Sequence, residues 1–226
     1  MKIFVADSNN TQRQYCRDNN IGILNSPSYF RLPPTDLDYI LDNGAFIAWK
    51  NKEDWNETAF YNCLKRLQQD NVYPYFIVVP DLVTKGLESL EHSKKHLKKL
   101  PKAFKKYLPV QDGVTIDHIS NDITNQIDGI FVGGSLDWKW KTAKDWIDYA
   151  HKNNLKCHIG RVGTKKDYMR AYILGADSVD GSAPTRNRNL YIIPEFYEWV
   201  TEQQSIFSYN RDYRYENLYK GLFGDW

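Results

Sequence analysis

A chain of 226 residues, 42% hydrophobic and 26% charged, is long enough for one domain with a substantial core and short for two. A formal net charge of +2 gives no overall field of the kind that holds nucleic acid by charge alone, and three scattered cysteines (Cys16, Cys63, Cys157) supply neither a disulfide framework nor a CxxC zinc site. No run approaches the roughly eighteen apolar residues of a membrane span, and MKIFVADSNN lacks a long apolar core, so a soluble protein of the reducing cytoplasm is expected.

In chain order, Lys2 to Ala6 reads as a first strand that ends in the turn cluster Asp7-Ser8-Asn9-Asn10. Residues 11–20 form a short helix or a loop, and Ile21 to Leu24 is a second strand before a Pro-bearing loop to Pro34. A third run from Tyr39 ends in Asp42-Asn43-Gly44-Ala45-Phe46. Apolar residues at Trp55, Phe60, Cys63, Leu64 and Leu67 predict a helix over Asp54 to Gln69. Tyr75 to Val79 is a buried-strand pattern closed by Pro80-Asp81, and Thr84 to Leu100 a basic helix. The alternation then repeats. Strands at Tyr107 to Val110, Gly129 to Val132, Lys156 to Ile159 and Ala176 to Val179 are separated by helices at Ile116 to Gln126, Thr142 to Asn153 and the segment after Gly163-Thr164. Leu190 to Gln203 reads as a closing helix, and the tail 205–226 is an aromatic, charged segment free to pack on the domain or to face a partner. Eight candidate strands with intervening helices favour a single α/β domain over residues 1–226, a (β/α)8 barrel of the TIM type that is somewhat irregular at its first connections.

In parallel α/β folds, functional groups gather at the carboxyl ends of strands. Asp42 and Asp180 end two different strands and meet only if the barrel closes. Paired carboxylates can divide glycosidic cleavage between a nucleophile and a proton carrier. Taken singly, each also suits a turn or a helix cap. Asp81 and Gln111, at two more strand ends, offer an acceptor and a mixed donor and acceptor to a purine-like edge. Gly133 and Gly134 let backbone approach a flat ring closely, and Phe46 is a candidate to stack on it. Arg161, Arg186 and Arg188 fall on segments expected at the same face and suit phosphates better than the lysine run Lys94, Lys95, Lys98, Lys99, Lys102, Lys105 and Lys106, which reads mainly as a solvated face. His158, within a strand, reads as structural. No Walker loop or GxGxxG fingerprint is present.

Five segments in order resemble the tRNA-guanine transglycosylase superfamily. Asp42-Asn43-Gly44-Ala45-Phe46 is similar to the family's Asp-Ser-Gly-Gly-Phe, Pro80-Asp81 to its base-reading Asp, and Pro109-Val110-Gln111-Asp112-Gly113 to Pro-Val-Gln-Gly-Gly. Val132-Gly133-Gly134-Ser135 resembles its Gly-Gly-Leu turn, and Asp180, followed by Pro184-Thr185-Arg186-Asn187, stands where the family has its nucleophile. The resemblance covers residues 42–189, about two-thirds of the chain. It implies a barrel enzyme that needs no cofactor. Asp180 would be its nucleophile and Asp42 its general acid/base, with Asp81, Gln111, Gly133, Gly134 and Ser135 contacting the base.

The family's zinc-binding cysteine motif does not follow Asp180, so no metal is expected; Asp112 replaces a glycine and Ser135 a leucine. These departures turn the expectation from tRNA toward DNA, as in the short DpdA-like 7-deazaguanine transglycosylases. The expected partners are DNA, with tRNA second, and a free 7-deazaguanine base that replaces guanine. Two other readings stay open: a DNA glycosylase that resolves the same intermediate with water, and an inactive barrel that only binds nucleic acid.

Overall fold

The structure, a computed structural model, describes residues 1–206 and 211–224. Eight strands form a closed, all-parallel barrel: β1 (Lys2–Ala6), β2 (Gly22–Asn25), β3 (Tyr39–Leu41), β4 (Phe76–Val78), β5 (Lys106–Val110), β6 (Gly129–Val132), β7 (Lys156–Ile159) and β8 (Ser178–Gly181). Each strand pairs with the next, and β8 closes on β1 with Phe4 beside Asp180. This is the (β/α)8 fold expected from the strand count. β8 begins two residues later than its apolar run and so carries Asp180 inside the strand.

Side chains alternate across each strand, so the barrel has two cores. Ile3, Val5, Ile23, Leu41, Ile77, Leu108 and Ile130 face outward and pack under the helices. Phe4, Ile40, Phe76, Val78 and Tyr107 point inward and fill the barrel's belly. Two glycines make room for the inner rings. A Cβ on Gly22 would lie 2.3 Å from the Phe4 ring, and one on Gly129 would lie 2.7 Å from the Tyr107 ring. Burying each such aromatic or aliphatic side chain stabilises the fold by about 1.5–3 kcal/mol.

The outer layer is α1 (Asn10–Asp18), α2 (Ala45–Asn51), α3 (Glu57–Gln69), α4 (Gly86–Leu97), α5 (Asn121–Thr124), α6 (Leu136–Lys152), α7 (Lys165–Leu174), α8 (Ala183–Arg186), α9 (Ile192–Ile206) and α10 (Arg211–Phe223). The first connection is more regular than expected, because Asn9 caps α1 by accepting from Gln12 N. The second carries only a 3-10 turn at Pro27–Tyr29. The helix expected over Ile116 to Gln126 is broken. A 3-10 turn at Ile116–His118 ends in extended backbone at Ile119 and Ser120, and Ser120 starts α5 afresh. By contrast α6 starts six residues before its predicted beginning, because the Ser135 side chain accepts from Trp138 N and caps it there. In the tail, Tyr219 of α10 is buried and its hydroxyl accepts from Arg170 Nε of α7 at 2.7 Å. Residues 207–210 and 225–226 of that tail lie outside the described residues. Among the described residues, no helix is long and apolar enough to cross a membrane.

Candidate active site

Above the aromatic belly, the inward positions turn polar. Ser178, two residues before Asp180 on β8, shares its face, and His158 sits opposite Ser178 on β7. The His158 ring is fully buried. It stacks on Phe131 at 4.8 Å and meets the edge of Phe76 at 5.0 Å. Both its nitrogens are engaged: Nδ1 lies 2.8 Å from Ser178 Oγ, and Nε2 lies 2.8 Å from Asp180 Oδ1. Burial pulls its pKa below the ordinary value, while the Asp180 hydrogen bond and charge oppose that. The imidazole is therefore neutral at pH 7, and the contact is a hydrogen bond rather than an ion pair.

Asp42 follows β3 directly. Its Oδ1 accepts from Gly44 N at 2.6 Å, and Asn43 Oδ1 accepts from Ala45 N at 2.8 Å, so Asp42-Asn43-Gly44 is a tight turn that opens α2. Gly44 adopts φ +82°, a conformation open to glycine at little cost. The third run thus bends into a helix after Leu41, which moves Phe46 from a strand end to a helix's first turn.

Asp81 follows β4 and is tied from two sides. Asn43 Nδ2 donates to its Oδ1 at 2.8 Å, and Gln111 Nε2 approaches Oδ2 at 3.2 Å. Asp42 and Asp81 are each only half-buried by surface, since both look into the mouth, yet protein atoms surround them closely enough for desolvation to dominate. Burial raises Asp42 to about 7, against the Gly44 hydrogen bond and with help from the charges of Asp180 and Asp81. Burial raises Asp81 to about 6, against the Asn43 hydrogen bond. Asp42 is therefore within electrostatic reach of the carboxyls of Asp81 and Asp180, and burial lets Asp42 and Asp81 hold protons above the usual carboxylate range.

The remaining expected residues split into two groups. Gln111 is buried beside Asp81, but its amide nitrogen is also shared with Ser89 Oγ at 2.7 Å and Leu82 O at 2.9 Å. The glycine turn is satisfied within the protein. Gly133 N donates to Val110 O, and Asp112 accepts from Ser135 N at 2.7 Å and Ser135 Oγ at 2.6 Å. The Gly134 carbonyl accepts from Arg161. Asp112 is thus the anchor of the neighbouring turn after β6. Arg161, at φ +58°, also lays its guanidinium 5.0 Å over the Phe46 ring, which keeps 36% of its surface exposed. Arg186 is on the short helix α8 rather than a loop, and Arg188 follows it; both are exposed and stand outside this hydrogen-bonded network.

Three participants escape the motif comparison. His158 looked structural within an apolar run, yet it holds Asp180. Asn43 bridges Asp81 to the turn of Asp42. Lys139, fully buried on α6, donates from Nζ to the Gly160 carbonyl, and burial with the Arg161 charge pushes its ammonium down to about 8 against the pull of Asp180. Recognising Ser135 as a helix cap would have placed Lys139 on α6, one turn into the helix. The lysine run lies elsewhere. It spans the end of α4 to the start of β5, at the foot of the barrel, with Lys94 paired to Glu91 and Lys99 to Glu57. A cleft of about 250 Å³ at that foot is lined by Tyr75, Tyr107, Asp128 and Lys156, and none of the three mouth carboxyls reaches it.

Fold and site together define a (β/α)8 barrel with a carboxyl cluster at the carboxyl ends of its strands, where enzymes of this architecture place their chemistry. A scan against protein-family models gives no match for the chain, and a search of curated proteins gives none either.

Proposed function

We propose that this protein is a base-exchange enzyme of the tRNA-guanine transglycosylase type that cleaves an N-glycosidic bond in DNA through Asp180. The observation that carries the reading is the division among the carboxyls. Asp180 is tied by one oxygen to a neutral imidazole, whereas Asp42, on a different strand, holds its proton to about 7. A carboxyl fixed by an imidazole beside one that keeps its proton supports Asp180 as nucleophile and Asp42 as proton carrier.

In the first half-reaction a carboxylate oxygen of Asp180 bonds to C1′ of the target nucleotide. The C1′–N bond breaks, its electron pair stays with the base nitrogen, and Asp42 supplies the proton that neutralises the leaving base. In the second, a nitrogen of an incoming 7-deazaguanine bonds to C1′ as the ester oxygen of Asp180 leaves, and Asp42 takes back the proton. Asp81 would present its carboxyl to the base's edge, with Gln111, whose amide nitrogen donates to it, holding it in place. A base in duplex would first have to leave its stack.

Intact-mass and denaturing-gel analysis of the protein mixed with DNA tests this directly. A covalent adduct in wild type and none in Asp180→Asn supports both the nucleophile and the substrate. Release of the adduct by added 7-deazaguanine base marks exchange, and alkali-labile abasic sites formed without it mark hydrolysis. An adduct with tRNA alone replaces the substrate. No adduct with any nucleic acid removes the reading.

A further inference from the structure

We propose that His158 is the positioning residue of Asp180: as a neutral donor it fixes one carboxylate oxygen and leaves the other as the attacking atom. Both the donor assignment and its mechanistic consequence rest on the reading of Asp180 as a nucleophilic carboxylate. Asp180 is 7% exposed, so its carboxylate has little water to hold it in place. His158 Nε2, 2.8 Å from Oδ1, is the side-chain donor that the structure provides to it.

The tautomer follows from the two neighbours. A nucleophilic carboxylate accepts only, so on that reading the ring carries its proton on Nε2, and the Ser178 hydroxyl then donates to Nδ1. The opposite tautomer would set a nitrogen lone pair against a carboxylate oxygen at 2.8 Å, which is repulsive. Phe4, Phe76 and Phe131 hold the ring on its remaining sides. The charged groups that act on it are Asp180 and Lys139, and their effects oppose one another. A space filler in this belly would need no nitrogen at all, whereas both of this ring's nitrogens are used. When the glycosyl ester breaks, the same N–H stabilises the charge returning to Oδ1, so the donor serves both half-reactions.

The test combines a spectroscopic signature with a rescue. In full-length protein labelled with ¹⁵N-histidine, His158 should show the neutral Nε2–H tautomer from pH 6 to 8, and Asp180→Asn should change that signal. With a single-stranded guanine-containing DNA oligonucleotide as probe, His158→Leu, which keeps bulk but no donor, should slow adduct formation by about 10- to 100-fold, the usual loss when an orienting partner is removed. His158→Gln, whose amide can donate from nearly the same place, should recover most of that rate. Ser178→Ala, a milder change, should slow the adduct and mix the tautomers. An Nδ1–H tautomer, or a His158→Leu protein that forms adduct at the wild-type rate, overturns the proposal. If wild type forms no adduct, the transglycosylase reading falls, and the tautomer alone then decides whether His158 holds Asp180.

Discussion

In the belly of the barrel, Phe76 lies flat on Tyr107 with ring centroids 3.8 Å apart, and glycines 129 and 22 clear the space that Tyr107 and the neighbouring Phe4 occupy. Further along the same strands, at the mouth, burial raises the cost of ionising Asp42 and Asp81, and the charges of Asp180 and Asp81 add to it at Asp42. The belly contributes stability through close packing, and every group there has its volume matched. The mouth gives up part of that stability to keep carboxyls desolvated and mutually repelling, the condition in which a carboxyl carries a proton at neutral pH. Substitutions should therefore separate cleanly: those in the mouth change chemistry and pH response, and those in the belly change melting temperature.

The largest expected effect is at Asp180. Asp180→Asn should lower adduct formation by about 10³-fold or more, as loss of a nucleophile does, while its thermal melting stays near wild type because one repelling charge has left the cluster. A melting temperature that collapses together with activity would place Asp180 among the structural residues and erase the contrast. Next comes Asp42→Asn, expected to cost about 10²-fold in adduct formation and to abolish the decline that wild type should show above pH 7, where Asp42 loses the proton the leaving base needs. Stability follows the same group. Asp42's folded pKa is raised, so between about pH 4 and pH 7 the folded state holds a proton that the unfolded chain has released, and wild-type stability falls as pH rises through that window. His158, lowered by burial, acts the other way below about pH 6.5, where protonation of the unfolded chain weakens the fold. The informative quantity is the difference between wild type and Asp42→Asn. Melting temperatures from pH 5 to 8 should show the downward slope relieved in the variant, and parallel curves would exclude a shifted Asp42.

In the belly, Gly129→Ala sets a Cβ 2.7 Å from the Tyr107 ring and 2.8 Å from the Lys156 carbonyl, and the backbone oxygen cannot swing away. Overpacking of this kind costs about 1–3 kcal/mol. In a chain of this size that lowers the melting temperature by about 2–12 °C. Adduct formation at 20 °C should hold. An activity loss without a fall in melting temperature would mean that the belly sets the mouth's geometry, and the separation would be wrong.

The belly was more legible in the sequence than the mouth. Strands announce themselves because a buried parallel strand is a short β-branched or aromatic run bounded by turn residues; Lys2–Ala6, Gly129–Val132 and Lys156–Ile159 all have the bounds their patterns predict. Asp42, Asp81 and Asp180 stood out because acids at strand ends have no packing reason to be there. Connections were harder. Asx and Ser side chains that bond nearby backbone decide where a helix starts, so Ser135 lengthened α6 and Asn43 made a helix of what looked like a strand end, while extended backbone at Ile119 and Ser120 broke the segment before α5. His158 was missed for another reason. Its role lies in a contact across two strands, with Ser178 and Asp180, and no local pattern in β7 carries that information.

The smallest expected effect is the one that fixes where the polynucleotide runs. Lys102 and Lys105 are exposed on the connection from α4 to β5, at the opposite end of the barrel from the carboxyls. A strand that delivers a nucleotide to Asp180 has no need to pass there, whereas Arg161 stands at the mouth. The double variant Lys102→Gln with Lys105→Gln should leave affinity for single-stranded DNA within about twofold of wild type and its salt dependence unchanged, because neither charge releases a counterion on binding. If both lysines touch phosphates, fluorescence anisotropy across a salt series will show the slope of log affinity against log salt shallower by about 1.4, roughly 0.7 for each lost contact. That outcome would put the polynucleotide down the side of the barrel. The foot would then belong to the functional surface, and mouth and belly could no longer be treated as the only two regimes of the molecule.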